Sequence, residues 1–186
     1  MKADLKLKFL QSFNQYINNE NSRQINLLVV STIIIAIIGI LPAIALPSYL
    51  SQLNIKAAQA EARQTLMAMN AAQQAYYLRN NQFLKTMGDF QKFSGLSIKT
   101  ATVNYTYDVV SVVGVGVVNL AKPPLRSQLF AYAGGVGKIE TPGTTKYTTA
   151  TVLCESKVPG LPPSAGSITF TFREVKCNGA DFQDVK

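Results

Sequence analysis

Cys154 and Cys177 are the only two cysteines of this 186-residue chain, and it has no histidine at all. Two thiols could pair, hold a metal or exchange electrons. A zinc site wants more ligands, and here histidine cannot supply them; a redox pair is usually Cys-x-x-Cys. One structural disulfide is the expectation if both residues reach an oxidising compartment. Closing such a loop would stabilise a domain by roughly 3 kcal/mol in the chain-entropy account. Other chemistry-bearing patterns are thinner. "GVGVVN" from Gly114 is half a dinucleotide fingerprint, but no helix pattern follows and Asn119 stands at the last glycine position. "GGVGK", ending at Lys138, lacks the earlier glycine of a phosphate-binding loop and runs into Ile139. Both read as turn glycines. Acids are few and dispersed, the commonest general base is missing, and nothing positions a serine-lysine pair. No enzyme activity, metal or cofactor is expected.

The elements around these residues begin with "STIIIAIIGILPAIALPSYL", Ser31 to Leu50. From Leu27 to Leu46 no residue is charged for twenty positions, which at ~1.5 Å per helical residue matches the ~30 Å core of a bilayer. A buried core helix is usually shorter. A cleaved secretory signal would be followed by a change of character, whereas the helical pattern here continues. Lys2, Lys6, Lys8 and Arg23 precede the span, so the expected orientation places the N terminus in the cytoplasm and the chain beyond Pro47 outside. Residues 1–24 read as a basic leader that processing could remove. Within it Leu5, Phe9, Phe13 and Ile17 repeat every four residues, which suits either an interfacial amphipathic helix or a disordered leader with chance periodicity.

Residues 25–50 are expected to form the apolar, membrane-spanning part of a long helix, and residues 51–80 its amphipathic half. Between Ser48 and Asn80 there is neither glycine nor proline, and good helix formers dominate. Leu53, Ala57, Ala60, Leu66, Met69, Gln73 and Tyr76 lie mostly three or four apart and predict one small, apolar face, with Leu66, Met69 and Tyr76 packing on a partner. Gly39, Pro42 and Pro47 predict a bend or interruption, because proline removes a backbone donor and clashes with the preceding turn. Residues 81–102 read as a connection long enough to carry short structure or a contact surface. Residues 103–186 read as a sheet: Val103–Val113, Val115–Leu120, Leu129–Gly135, Tyr147–Ser156 and Ser167–Val175 are strand candidates separated by proline and glycine loops. One long helix followed by strands predicts an α+β fold with an antiparallel sheet laid on that helix.

Charge adds little by itself. The formal balance is +8, and residues 80–186 carry eleven basic against seven acidic residues. Such a balance attracts phosphate or acidic surfaces only weakly. Lys85, Lys92 and Lys99 could form a stripe for nucleic acid, but a solvated loop is the stronger reading.

"AIIGILPAIALPSYLSQ" (Ala36 to Gln52) and "EARQTLMAMNAAQQAYYLRNNQF" (Glu61 to Phe83), with "LLVV", "NYTY", "AYAGGV" and "VLCES", make the chain similar to type IV pilins and pseudopilins, and more narrowly to the pilin-like G/H proteins of cyanobacteria. The resemblance implies a lollipop, with a curved helix whose outer half packs on a small antiparallel sheet and a cysteine pair closing a C-terminal loop. It also implies helices that bundle in a filament core, partly melted near Pro47, and partners that are other pilin or pseudopilin subunits, the membrane and a prepilin peptidase. The processing region departs from the family pattern. Asn21 stands for the cleavage-site glycine, Ser22 for the phenylalanine and Asn26 for the glutamate, and "STIIIA" adds about one helical turn before "IIGIL". Two functions follow. One is a minor or accessory subunit of a type IV pilus, serving motility, adhesion or DNA uptake, or of a type II secretion pseudopilus. The alternative is an unprocessed bitopic membrane protein with a periplasmic pilin-like binding domain.

Overall fold

The computed structural model of the chain describes Lys8, Gln11 and residues 23–93, 98–141, 143 and 147–185; along residues 23–48 the side chains described are those at positions 30, 31, 33 and 34. The chain divides into two compact units, Met1–Gln52 and Leu53–Lys186. Helix α1, Arg23–Asn80, is the first element of the described fold. It continues unbroken through Gly39, Pro42 and Pro47, so the interruption expected there is not a break in the helix. A proline costs a helix one hydrogen bond and a clash, about 3 kcal/mol, which the turns on either side can sustain. In the first unit, Val30, Ile33, Ile34, Tyr49 and Leu50 are exposed. Among the described residues no helix is long and apolar enough to cross a membrane.

In the second unit α1 ends at Asn80. Asn81 takes a left-handed conformation (φ 53°) and its N–H donates to the Tyr77 carbonyl at 2.8 Å, closing the last turn. A short helix α2, Met87–Phe93, follows and buries Phe90. Thr86 and Asp89 cap it reciprocally: the Asp89 N–H donates to Thr86 Oγ1 (3.2 Å) and the Thr86 N–H to Asp89 Oδ2 (3.0 Å).

Strands β1 (Thr106–Val112), β2 (Gly116–Lys122), β3 (Tyr132–Glu140), β4 (Tyr147–Ser156) and β7 (Phe182–Asp184) form one antiparallel sheet in that order; β5 (Ile168–Phe170) and β6 (Val175–Cys177) form a separate hairpin. β1 starts later than the sequence pattern suggests, because the Thr102 hydroxyl accepts the N–H groups of Asn104 and Tyr105 and turns the chain first. Ser167–Val175 is two strands rather than one. The Thr171 hydroxyl accepts from the N–H groups of Arg173 and Glu174 and folds the segment back on itself.

The sheet is covered on both faces. Toward α1 lie Ala58, Ala62, Leu66 and Met69 with Tyr105, Val117, Ala121, Tyr132 and Val136; the other cluster holds Val118, Leu120, Ala133, Cys154, Ile168 and Phe182. Alternating residues of β2 therefore enter two different cores, which is why that strand is an almost unbroken apolar run. Gly116, Gly134, Gly135 and Gly137 are strand residues, which corrects the reading of both glycine patterns as turns; only Gly114, with φ 76°, fits it. Close approach explains β3. A Cβ on Gly135 would stand 2.7 Å from Ile168 Cγ2, and one on Gly137 2.7 Å from Phe170 Cδ1, so the glycines let the β5–β6 hairpin lie against the sheet.

Candidate functional site

The residues singled out in sequence fall into three places. Asn21 and Ser22, the positions of the cleavage site, lie outside the described residues. Asn26, Gly39, Pro42 and Pro47 lie within α1, with side chains outside the described set. Along the same stretch the described apolar side chains face solvent; Ile34 is 50% and Tyr49 63% exposed.

The second place is the seam between α1 and the sheet. Leu66 and Met69 are completely buried there, and Tyr76 is half-buried against the same core. The buried stripe differs from expectation toward its start. Leu53, Ala57 and Ala60 are exposed, and Ala58 and Ala62 are buried instead. Counting back from Leu66 in steps of four gives Ala62 and Ala58; the step from Ala60 to Leu66 breaks the helical period, so the two halves of the expected stripe never shared a face.

Polar side chains pin the seam, and the sequence reading passed over most of them. Asn119 Nδ2 donates to Asn70 Oδ1 at 2.8 Å, and Asn70 Nδ2 donates to the Val152 carbonyl at 3.2 Å. Gln73 is fully buried and grips the chain after the helix twice: its Nε2 donates to the Leu84 carbonyl (2.9 Å), and its Oε1 accepts the Leu84 N–H (2.8 Å). The signal for Asn119 was its position in the middle of an apolar strand, where a polar residue needs a partner. Arg63 lies over the Tyr132 ring, 5.7 Å from its centroid, and the Tyr132 hydroxyl donates to Glu155 Oε2 at 2.7 Å. Burial, with the Glu155 carboxylate beside it, pushes the Tyr132 hydroxyl far above its ordinary value, and burial raises Tyr105 as well. Tyr105 donates to the Phe130 carbonyl at 2.8 Å. These groups act as structural donors.

The third place is the cysteine pair. Cys154, buried in β4, is bonded to Cys177 in β6, with their Cα atoms 5.7 Å apart and a sequence separation of 23. The bond ties the five-stranded sheet to the hairpin packed on it. Asp184 Oδ1 lies 2.9 Å from Cys177 Sγ, and the three side chains stand close enough to hold a metal ion. With both sulfurs in a disulfide, no thiolate is present to ligate one.

Each element thus serves packing: a helix face with small residues, a sheet buried on both sides, and a covalent tie at its C-terminal edge. A family model for type IV pilin-like G and H matches residues 59–178. No curated protein and no solved structure matches. The matched span takes in the buried stripe of α1 from Ala62 onward, the polar seam, strands β1 to β6 and both cysteines, and with more than half of its length so matched the chain belongs to the type IV pilin-like G and H family.

Proposed function

We propose that the chain is a minor or accessory structural subunit of a type IV pilus or of a type II secretion pseudopilus, assembled by bundling the apolar half of α1 with the same half of other subunits. Membership of a type IV pilin-like family carries the pilus-related structural role and assembly with other pilin subunits. The observation that supports the finer reading is the exposure of Val30, Ile33 and Ile34 within the uncharged run from Leu27 to Leu46, and of Tyr49 and Leu50 just beyond it. Water disfavours such a surface by ~25 cal/mol per Å² of apolar area, and neighbouring helices or lipid remove that cost. Before assembly the run would rest in the plasma membrane, with the N terminus cytoplasmic and the sheet domain periplasmic. In the filament, packing against other helices takes the place of lipid. Gly39, Pro42 and Pro47 weaken the helix where it has to adapt to both surroundings. The disulfide-closed C-terminal region would then face neighbouring subunits from the outer surface.

A second reading rests on Asn21 and Asn26, which replace the glycine and the glutamate of the processing pattern. It describes an unprocessed single-pass protein whose periplasmic domain binds a partner. One experiment separates the two: the N-terminal sequence and intact mass of the native protein, taken separately from membranes and from sheared filaments. A start near Ser22 in sheared material is expected of a working subunit. A start at Met1 or Lys2, confined to membranes, would overturn the filament reading in favour of the tethered one.

A further inference from the structure

Beyond the end of α1 the chain is folded back with little freedom. Gln73 holds the Leu84 backbone by two hydrogen bonds, Phe83 stacks on Tyr77 (4.6 Å between centroids, 25° between planes), and Phe93 meets Tyr76 edge to face (4.7 Å, 85°). All four rings are half-buried, so each keeps surface open to solvent. Two cavities adjoin this segment. One, of about 230 Å³, lies between Tyr77, Phe83 and Lys85 on one side and the β1–β2 turn and Lys138 on the other. The second, of about 390 Å³, is bounded by Tyr76, Phe83, Lys85, Asp89, Lys92 and Phe93. Gln82, Phe83 and Lys85 line both, so the two form adjoining parts of one groove.

The charge along that groove is positive. Lys85, Lys92 and Lys138 line it, and Asp89 is its single acid. The Asp89 carboxylate is already engaged by the N–H groups of Lys85 and Thr86. Lys138 lies over the Tyr147 ring, 5.2 Å from its centroid. Aromatic surfaces in pits, flanked by cations on a pre-folded segment, fit a ligand that alternates flat apolar groups with anions.

We infer that this groove binds single-stranded nucleic acid, with bases set against the rings of Phe83, Tyr77 and Phe93 and phosphates against Lys85, Lys92 and Lys138. Unpaired bases expose the π faces that such rings stack on, whereas a duplex keeps them inside its own stack. Three lysines against one acid give the groove its local attraction for a polyanion, and they hold it by releasing its counterions. Lys85 and Lys92 read in sequence as solvated loop positions; the tertiary fold sets them beside aromatic walls. The site does not depend on the filament reading.

The test is fluorescence anisotropy of labelled oligo(dT) with the full-length chain in neutral detergent, across a salt series. Three phosphate contacts at ~0.7 each predict a log–log salt slope of about −2. Lys85→Gln with Lys92→Gln should bring it to about −0.7. Phe83→Leu, which keeps an apolar side chain against Tyr77 but removes the ring, should weaken binding about tenfold, within the range for loss of one stacked base, with the slope unchanged. A duplex should bind less tightly than oligo(dT). Matching melting curves establish that each variant is folded. No salt-dependent binding by the parent chain overturns the inference. So does binding that the parent chain and both variants share equally. If an acidic polysaccharide such as heparin competes fully and Phe83→Leu changes nothing, the groove is a general polyanion surface and the base-stacking site is refuted. None of these failures touches the filament reading, which is decided by N-terminal processing and recovery in sheared filaments.

Discussion

Asn119 Nδ2, in the middle of β2, donates a 2.8 Å hydrogen bond to Asn70 Oδ1, on the buried face of α1, and both side chains are buried. The pair fixes the register of helix against sheet, because sliding the helix by one residue would leave two buried amides without partners. Gly134 of β3 completes the arrangement: a Cβ there would stand 2.5 Å from Asn70 Oδ1. Asn70→Ala should therefore cost about 1–3 kcal/mol, the penalty for leaving buried polar groups unpaired. Gly134→Ala should cost a similar amount by overpacking, about 1–3 kcal/mol. The double variant should lose less than the sum of the two single losses, since the small residue at 70 makes room for the new methyl. Denaturant titration of the four proteins measures that coupling; strict additivity would show that the glycine serves something other than Asn70.

Met69 makes a simpler prediction. It is wholly buried in the core shared by α1 and the sheet. Met69→Asp should abolish cooperative unfolding of the sheet domain, because an isolated carboxylate cannot be ionised there without a partner. Leu66→Ala, which leaves only a cavity, should cost about 2–5 kcal/mol and keep the fold. An unchanged melting curve for Met69→Asp would refute the packing.

Removing the Cys154–Cys177 bond by the double substitution to alanine should lower stability by roughly 3 kcal/mol, because the unfolded chain regains the freedom of the closed loop. Thiol counting on the exported protein checks the bond directly. Two free thiols there would mean that the tie between sheet and hairpin is not made in the cell.

Two pH effects of opposite sign follow from the sheet. Lys122 Nζ donates to Asp108 Oδ2 at 2.8 Å and holds the Asp108 carboxyl below its ordinary value of 3.8. The stability from this pair is complete above that value and is lost as pH falls through the lowered one. Both side chains are more than a third exposed, so the effect is under about 1 kcal/mol. Asp108→Asn should flatten the acid limb of stability by that small amount.

At the alkaline end Tyr105 and Tyr132 dominate. Burial raises both above the ordinary tyrosine value of 10.0, so they stay neutral in the fold where the unfolded chain would ionise. Their contribution is complete below pH 10 and declines as pH rises beyond it. Ultraviolet titration of tyrosinate should show two groups that ionise only as the domain unfolds. Smooth titration of all tyrosines in folded protein would contradict it.

Much was determined by the order of residues alone. The uncharged run from Leu27 to Leu46, the glycine- and proline-free stretch to Asn80 and the β-branched segments beyond it specify a long helix followed by a sheet, because each is a local pattern whose period matches one kind of backbone. Leu66 and Met69 were legible as packing residues for the same reason. The tertiary structure decided what depends on a distant partner. Ala58 and Ala62 replaced Ala57 and Ala60 on the buried face because the sheet selects which side of the helix it meets. The glycines of β3 look like turn residues until Asn70 and the β5–β6 hairpin are seen lying against them. β7 is too short for a periodic signal and is placed by Asn178, whose Oδ1 accepts the N–H groups of Ala180, Asp181 and Phe182 and turns the chain back to β4. Local periodicity writes elements into a sequence; close approach and buried hydrogen bonds exist only between segments far apart in it.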